Sequence, residues 1–325
     1  MDSRMQGTGV SAAAEPLVSV SISAYNLERL LPRALDSVLM QEMPFPVEVI
    51  VGDDCSTDGT LKVAQEYARR HPELIQVMSR SKNVGIQRNT YEILERCRGK
   101  YTAWLDADDY WTDPKKLVRQ VAALEADPSI QVCGHYARWV NLAGEVKRER
   151  YPSLPAGRYQ LNEILRHNFI ATPTIVFRSG AHRLLPEWYF GLDSLSDWPV
   201  WVFAALSGDI LLMDETMADY TLSANSSFMS KGEMYWYRSD ARFLGFLQDS
   251  VPTKYRRVVR AELGRRYGAM AYALRKRGEF SESRIAAWKA FSSPALTDDF
   301  ASKSKGLLAA VVREMEWRIK GSPAG

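Results

Sequence analysis

The sequence predicts an α/β layered sheet built mainly from parallel strands. Two observations carry this reading. Strand-like and helix-like segments alternate from Leu17 to Ala126, and the polar clusters fall where strands end. Alternation of this kind favours a parallel sheet with helices on its faces. In such sheets ligands bind beyond the carboxyl ends of the strands.

Leu17 to Ala24 alternates apolar and small polar residues of strand-forming type, which predicts β1. Leu31, Ala34, Leu35, Val38 and Leu39 recur at helical spacing within Leu30 to Gln41, and Pro32 suits a first helical turn. Val47 to Val51 is a short apolar strand. A helix follows over Leu61 to Arg70, with Thr57 or Asp58 as its cap. Ile75 to Ser79 predicts a third strand, and Ile86 to Arg98 a helix that Gly99 stops. Tyr101 to Leu105 is a fourth strand. Pro114 to Ala126 is a helix with Asp113 as N-cap, and Ile130 to Val140 a further strand. The stretch from Tyr151 to Tyr220 is mixed, with strands at Thr174 to Phe177, Ile210 to Met213 and Met217 to Thr221, and a helix from Asp197 to Ser207. Beyond Gly232 the pattern is helical, and Glu262 to Lys276 and Ser281 to Phe291 form a pair joined at Gly278.

The organisation that follows is a leader over 1–16, an α/β domain over 17–230 and a helical region over 231–325. Met1 to Pro16 has no apolar run of a secretory signal and reads as disordered. No stretch approaches the ~20 apolar residues of a spanning helix. Three scattered cysteines without a CxxC argue against a disulfide framework or a zinc site and fit a reducing cytosol. The four histidines show no metal-ligand spacing. The net charge of +3 hides an uneven distribution. Val251 to Gly325 holds 16 Lys and Arg against 7 Asp and Glu, which leaves the rest of the chain acidic. A basic tail points to an anionic surface or to a solvated helical face. A nucleic-acid partner would account for the tail but not for the acidic strand ends, so none is expected.

The chemistry concentrates at those strand ends. Asp106-Ala107-Asp108-Asp109 puts three carboxylates within four residues. Unpaired carboxylates repel one another, so a fold that gathers them usually holds a cation. Their hard oxygens suit Mg2+ or Mn2+, ions that also bind phosphate. A lone Asp-x-Asp is more simply an acidic turn. Here a strand precedes it, and Ala24-Tyr25-Asn26 and Asp53-Asp54 end two other strands, so three strand ends converge on one cleft. Asp53 and Asp54 can accept N–H groups of a nucleobase or close a turn. Arg88, one turn into its helix after the Asn83-Val84-Gly85 loop, can reach a pyrophosphate or base, or form a surface ion pair. Asp197 suits a helix N-cap as well as a general base. Trp198, Trp201, Trp236 and Tyr237 can stack on sugars or fill the core.

Four segments in order, SVSISAYN (19–26), VEVIVGDDCSTDGT (47–60), SKNVGIQRN (81–89) and YTAWLDADDYWTDPKKL (101–117), resemble family 2 glycosyltransferases of the GT-A fold. The stretch from Leu195 to Trp201 followed by Gly208-Asp209-Ile210 is similar to that family's acidic segment heading a helix. The resemblance implies a Rossmann-like nucleotide-diphospho-sugar transferase fold with a mixed sheet and a C-terminal helical extension. It implies a nucleotide-diphospho-sugar donor, with a UDP-sugar favoured, and Mn2+ or Mg2+ as cofactor. By the same pattern Asp53 and Asp54 hold the base, Asp106 the ribose and Asp108 the metal. Ala24, Tyr25, Asn26, Asn83, Gly85, Arg88, Ala107 and Trp198 complete the substrate site. Asp197 matches the catalytic base of an inverting displacement. Asn168 to Pro173 resembles an acceptor-side segment.

Two positions depart from the pattern. Ser196 stands where the family often has Glu, and Ser223 where it often has His near the metal. These keep open a non-catalytic nucleotide-sugar-binding relative. A nucleotidyltransferase is a further alternative, but the loop after β1 lacks the Gly-rich phosphate cradle such enzymes usually carry. The expected acceptor is a saccharide or lipid-linked hydroxyl in bacterial surface polysaccharide or glycolipid synthesis, by resemblance alone. Leu307, Leu308, Val311, Val312, Met315 and Ile319, with Lys303, Lys305, Arg313, Arg318 and Lys320, suit an interfacial helix on anionic lipid or a packed helix. The expected location is the cytoplasm, with a peripheral position on the inner membrane face.

Overall fold

The computed structural model describes residues 15–193, 196–222 and 231–293. Most of the expected leader, Ser223 and the 303–320 stretch lie outside them. The first half follows the predicted alternation: β1 (Val18–Ala24), α1 (Leu31–Leu39), β2 (Val47–Asp53), α2 (Thr60–Arg70), β3 (Ile75–Met78), α3 (Ile86–Arg96) and β4 (Tyr101–Asp106). These four strands pair in parallel, in the order β3-β2-β1-β4. Helices cover both faces, so the small polar residues Ser19 and Ser21 of β1 are buried. The fold satisfies them locally: Ser19 Oγ donates to Glu48 Oε1 at 2.6 Å, and Ser21 Oγ donates to the Ala103 carbonyl at 3.3 Å.

The remaining strands make the sheet mixed. They are β5 (Tyr110–Trp111), β6 (Ile130–Asn141), β7 (Val146–Tyr151), β8 (Gly157–Tyr159), β9 (Val176–Arg178) and β10 (Asp209–Leu222). The sheet continues from β4 as β9-β6-β10-β5, with β9 antiparallel to both neighbours and β6 parallel to β10. Helix α4 (Lys116–Ala126) joins β5 to β6, α5 (Leu161–Arg166) follows β8, and α6 (Trp198–Ala204) precedes β10.

Several boundaries differ from expectation for local reasons. Asp113, three residues before α4 starts, accepts the Lys115 N–H at 2.8 Å, so it shapes the entry turn rather than capping the helix. Asp58 likewise serves Thr60 N at 2.9 Å while Gly59 holds the cap position of α2. Residues Thr172–Thr174 form a 3-10 turn around Pro173, which delays β9 to Val176. The two strands expected near 210 and 217 are one strand with register shifts between Leu212 and Ala218. Gly99 packs directly under β1, where a Cβ would sit 2.6 Å from Ser19 N, so the turn into β4 admits no side chain.

Three helices close the described chain: α7 (Gly232–Ser250), α8 (Thr253–Lys276) and α9 (Phe280–Ser292), with α8 and α9 joined at Gly278 in the left-handed region (φ 79°). One apolar core runs from Leu94 and Trp104 through Trp198 and Trp201 to Phe243, Leu244 and Leu274. The C-terminal helices thus pack onto the sheet through α5 and α6. Each fully buried Leu or Phe contributes about 1.5–3 kcal/mol. A second core, around Val20, Leu35, Val49 and Leu117, fills the space under α1, α2 and α4.

Candidate active site

The carboxyl ends of β1, β2 and β4 open on a cavity of about 680 Å3. Two non-glycine residues in the left-handed region, Asn26 (φ 55°) and Cys55 (φ 60°), turn the chain sharply after β1 and β2. Such a conformation costs about 1–2 kcal/mol for an L-residue and marks where the surroundings dictate the backbone. Asn26 holds that turn itself, its Oδ1 accepting Thr57 N at 2.8 Å.

Asp54 organises the next loop. Its Oδ1 accepts Val84 N at 2.8 Å, and its Oδ2 accepts Gly85 N at 2.9 Å. Asn83 answers by donating its side-chain amide to the Asp54 carbonyl at 3.1 Å. Gly85 takes φ 84°, open to glycine, and heads α3. Asp53 is deeper. Its Oδ2 accepts Ser56 N at 3.1 Å, while Oδ1 is buried without a protein hydrogen-bond partner among the described residues.

After β4 the chain presents its acidic cluster. Asp106 Oδ1 accepts Ser23 Oγ at 2.8 Å and Trp104 Nε1 at 3.2 Å. Burial, then the neighbouring Asp108 charge, push the Asp106 carboxyl up to about 7. Asp108 is raised by burial, and Asp109 well raised by burial and by Asp108. Asp109 also lines the cavity and is tied to β10, its Oδ1 accepting Thr221 N at 2.7 Å. Arg33 braces the cluster from α1, donating to the Asp108 carbonyl at 3.1 Å and to Thr221 Oγ1 at 2.9 Å, with its guanidinium 4.0 Å over the Tyr110 ring. The arrangement crowds negative charge that only a cation or bound protons can relieve.

Among the described residues no three His, Cys, Asp or Glu side chains form a metal cage. The residues still fit Mg2+ or Mn2+ in the open manner of phosphate-binding sites, where one or two carboxylates meet the ion and phosphate and water oxygens complete the shell. Asp108 lines the cavity, and its carboxylate takes no side-chain donor among the described residues.

On the opposite wall, Asp197 caps α6 with its Oδ1 on Trp198 N at 2.7 Å. Asn168 donates to its Oδ2 at 2.8 Å, and Thr172 Oγ1 lies 3.4 Å from the same atom. Burial raises the Asp197 carboxyl despite these bonds. The N-cap and an exposed face toward the cavity thus coexist.

The cavity brings together Ala24, Tyr25, Asp54, Asn83, Gly85, Asp106, Asp108, Asp197 and Trp198. Four other candidates stand back from it. Asn26 and Asp53 shape the loops behind it, and Ala107 is buried in the core, its N–H bonded to the Ser23 carbonyl. Arg88 is exposed and stacks 4.0 Å over Phe190. Trp198 is 2 % exposed, with Nε1 donating to the Ile164 carbonyl, so most of its ring is core. Residues that local pattern did not reveal are Arg33, Tyr151, Tyr220, Asp240 and Arg266. Tyr220 feels the charges of Asp109, Asp108, Asp106 and Asp197 together, which with burial raise its hydroxyl well above the ordinary range. Its place on β10 gave no sequence signal, because those partners come from other strands.

The fold is a mixed α/β sheet with an acidic cleft at the ends of its parallel strands. The family model for glycosyl transferase family 2 matches residues 19–185, and the chain belongs to that family. It is 38% identical over 213 residues to the uncharacterized protein Rv1520 of Mycobacterium tuberculosis, a match covering 65% of this chain and 60% of that one. The fold is similar to S. aureus TarS 1-349 in complex with UDP-GlcNAc, with TM-score 0.65 and 18% identity over 90% of this chain and 88% of that one. It is also similar to the mannosyltransferase PcManGT from Pyrobaculum calidifontis in complex with GDP-Man and Mn2+, with TM-score 0.56 and 17% identity over 93% and 87% of the two chains. The chain thus belongs to glycosyl transferase family 2 and has the GT-A fold.

Proposed function

We propose that this protein transfers a sugar from a nucleotide-diphospho-sugar, a UDP-sugar favoured, to a saccharide or lipid-linked hydroxyl with inversion at C1. The observation that carries the reading is one cavity lined by Asp54, Asp106 and Asp108 on one wall and by Asp197 on the other. The TarS complex with UDP-GlcNAc supports the donor class by analogy of fold. In this reading residues 17–230 hold the transferase domain and 231–325 a C-terminal region, whose described part, 231–293, is helical and packs on it.

The nucleobase lies over the loops that Asp54 and Asn83 hold together. Asp106, fixed by Ser23 and Trp104, faces the ribose. Asp108, with Asp106 behind it, would hold Mn2+ or Mg2+, which when bound would offset the charge growing on the leaving diphosphate. Asp197, ionised and held by Asn168, takes the proton of the acceptor hydroxyl as that oxygen forms its bond to C1. The bond from C1 to the diphosphate oxygen breaks on the opposite face, and its electron pair leaves with the diphosphate. Fixed walls for both partners lower the barrier by positioning.

The test is release of nucleoside diphosphate from a panel of UDP-, GDP- and dTDP-sugars with Mn2+ or Mg2+ and a saccharide acceptor. Metal-dependent release with at least one donor supports the reading. Tight donor binding without release would instead favour a non-catalytic relative, and release of pyrophosphate a nucleotidyltransferase.

Part of the proposal is peripheral docking at an anionic membrane on the cytoplasmic side. Residues 251–293 hold 11 Lys and Arg against 3 Asp and Glu, and α9 exposes Ile285, Trp288 and Phe291 at near-helical spacing. Among the described residues no helix is long and apolar enough to cross a membrane. Co-sedimentation with phosphatidylserine vesicles tests docking, and equal pelleting of Trp288→Asp and the parent protein would sink it.

A further inference from the structure

The helical C-terminal region does not merely pad the fold: α7 and α8 supply one wall of the cavity. Trp236, Asp240 and Arg266 all line it. Trp236 and Asp240 are four residues apart on α7, so they share one face of that helix. Arg266, from the middle of α8, donates Nε to Asp240 Oδ2 at 2.8 Å. Its Nη2 donates to the Arg166 carbonyl at 3.2 Å, at the end of α5. Two residues on, Asn168 holds Asp197. The wall is therefore tied to the loop that positions Asp197.

The pair is half-used. Among the described residues, Asp240 Oδ1 and Arg266 Nη1 take no hydrogen-bond partner, and both side chains are one-fifth exposed. An acceptor on Asp240 and a donor on Arg266 are thus left on a wall that Trp236 shares. The hydroxyls of a sugar ring satisfy such groups, donating to one and accepting from the other, while an aromatic side chain takes the apolar face of the ring. A charged sugar fits poorly. Asp240 already engages the Arg266 cation, and a carboxylate or phosphate placed there would meet the Asp197 charge in a partly buried site with no cation left to pair it. His167 on the same wall adds no cation, because burial and then Arg266 hold its ring below the ordinary range.

We propose that Trp236, Asp240 and Arg266 form the acceptor subsite and that it takes an uncharged sugar ring. This rests on the transferase reading above and adds the acceptor's chemical class and the residues that select it.

Saturation-transfer NMR on the full chain with UDP and Mg2+ tests it. The probes are methyl β-glycosides of glucose, galactose, mannose and N-acetylglucosamine, with methyl β-glucuronide as the charged comparison. The expected result is saturation of the ring protons of at least one neutral glycoside and weaker saturation of the glucuronide. Trp236→Ala and Asp240→Ala should each cut the glycoside signal at least fivefold while the UDP signal stays within twofold. The UDP signal also reports that each variant is folded at the donor half. A glycoside signal that survives both substitutions overturns the subsite. So does binding of UDP with no neutral glycoside bound, or a glucuronide bound more strongly. Absence of UDP binding in the parent protein would instead overturn the UDP-sugar reading beneath it.

Discussion

Asn168 reaches across 29 residues of sequence to donate its side-chain amide to Oδ2 of Asp197 at 2.8 Å. The bond favours the ionised carboxylate, against the burial that raises it. Asp197 therefore sits between two opposing influences, and its readiness as a base depends on a neighbour supplied by a different loop.

Asp197→Asn should retain donor binding and lose transfer by about 10^2–10^4-fold, the usual worth of a general base. Asn168→Ala should leave a milder defect and a displaced pH profile. Removing a donor to the carboxylate raises its pKa further, and the base must be ionised to act. The acid limb of kcat/KM should therefore move to higher pH in Asn168→Ala. A limb that stays in place would mean that another group governs it.

Asp108 tests the metal assignment without reference to turnover. Burial of three carboxylates without a cation costs stability, so Asp108→Asn should melt at the same or a higher temperature than the parent protein in EDTA. Mn2+ with UDP should raise the parent's Tm, by about 2.7 kcal/mol of stabilisation at a hundredfold excess over Kd, and should leave Asp108→Asn nearly unmoved. Equal stabilisation of both proteins would place the ion elsewhere.

Asp54 binds two backbone N–H groups of the 84–85 loop, and bonds to a charged acceptor contribute about 1.5–3 kcal/mol each. Asp54→Ala should lower stability by about 2 kcal/mol in urea unfolding. It should also raise the donor KM well above any effect on kcat. A variant with unchanged donor KM would confine Asp54 to the scaffold.

Lys116 is fully buried behind β5, with Nζ donating to Gln120 Oε1 at 2.8 Å and lying 4.3 Å from the Trp111 ring centre. Burial lowers its ammonium from 10.5 to about 7. Between those values the unfolded chain binds a proton that the folded one does not, so stability should rise as pH increases from about 7 toward 10.5. Lys116→Met should flatten that rise and stabilise the protein at pH 7. A stability curve with the same slope in both proteins would show that Lys116 stays charged in the fold.

Local sequence carried the first half of the fold because each of its elements announces itself. The apolar run of Val47 to Val51 and the helical spacing of Ile93 and Leu94 need no distant partner to be read, although the helix ends at Arg96, before the expected stop at Gly99. The order of strand and helix then implied parallel pairing, and with it the strand ends where Asp54, Asp106 and Asp108 meet. The stretch from Val146 to Thr174 was far less legible. β7 is exposed and charged, β8 has three residues, and both exist because β6 and β10 offer edges to pair with.

By itself, then, the sequence determined the layered α/β class and its family, the helical C-terminal region and the carboxylates at the strand ends, since propensity, periodicity and motif spacing act over a few residues. Tertiary structure alone decided which carboxylates line the cavity and which stand behind it, as Asp53 does on Ser56. It decided that Arg88 leaves the cleft for Phe190, and that Arg33, Tyr220, Asp240 and Arg266 enter it or brace it. Those outcomes depend on contacts between residues tens to hundreds of positions apart, where burial and charge, not local pattern, choose the partner.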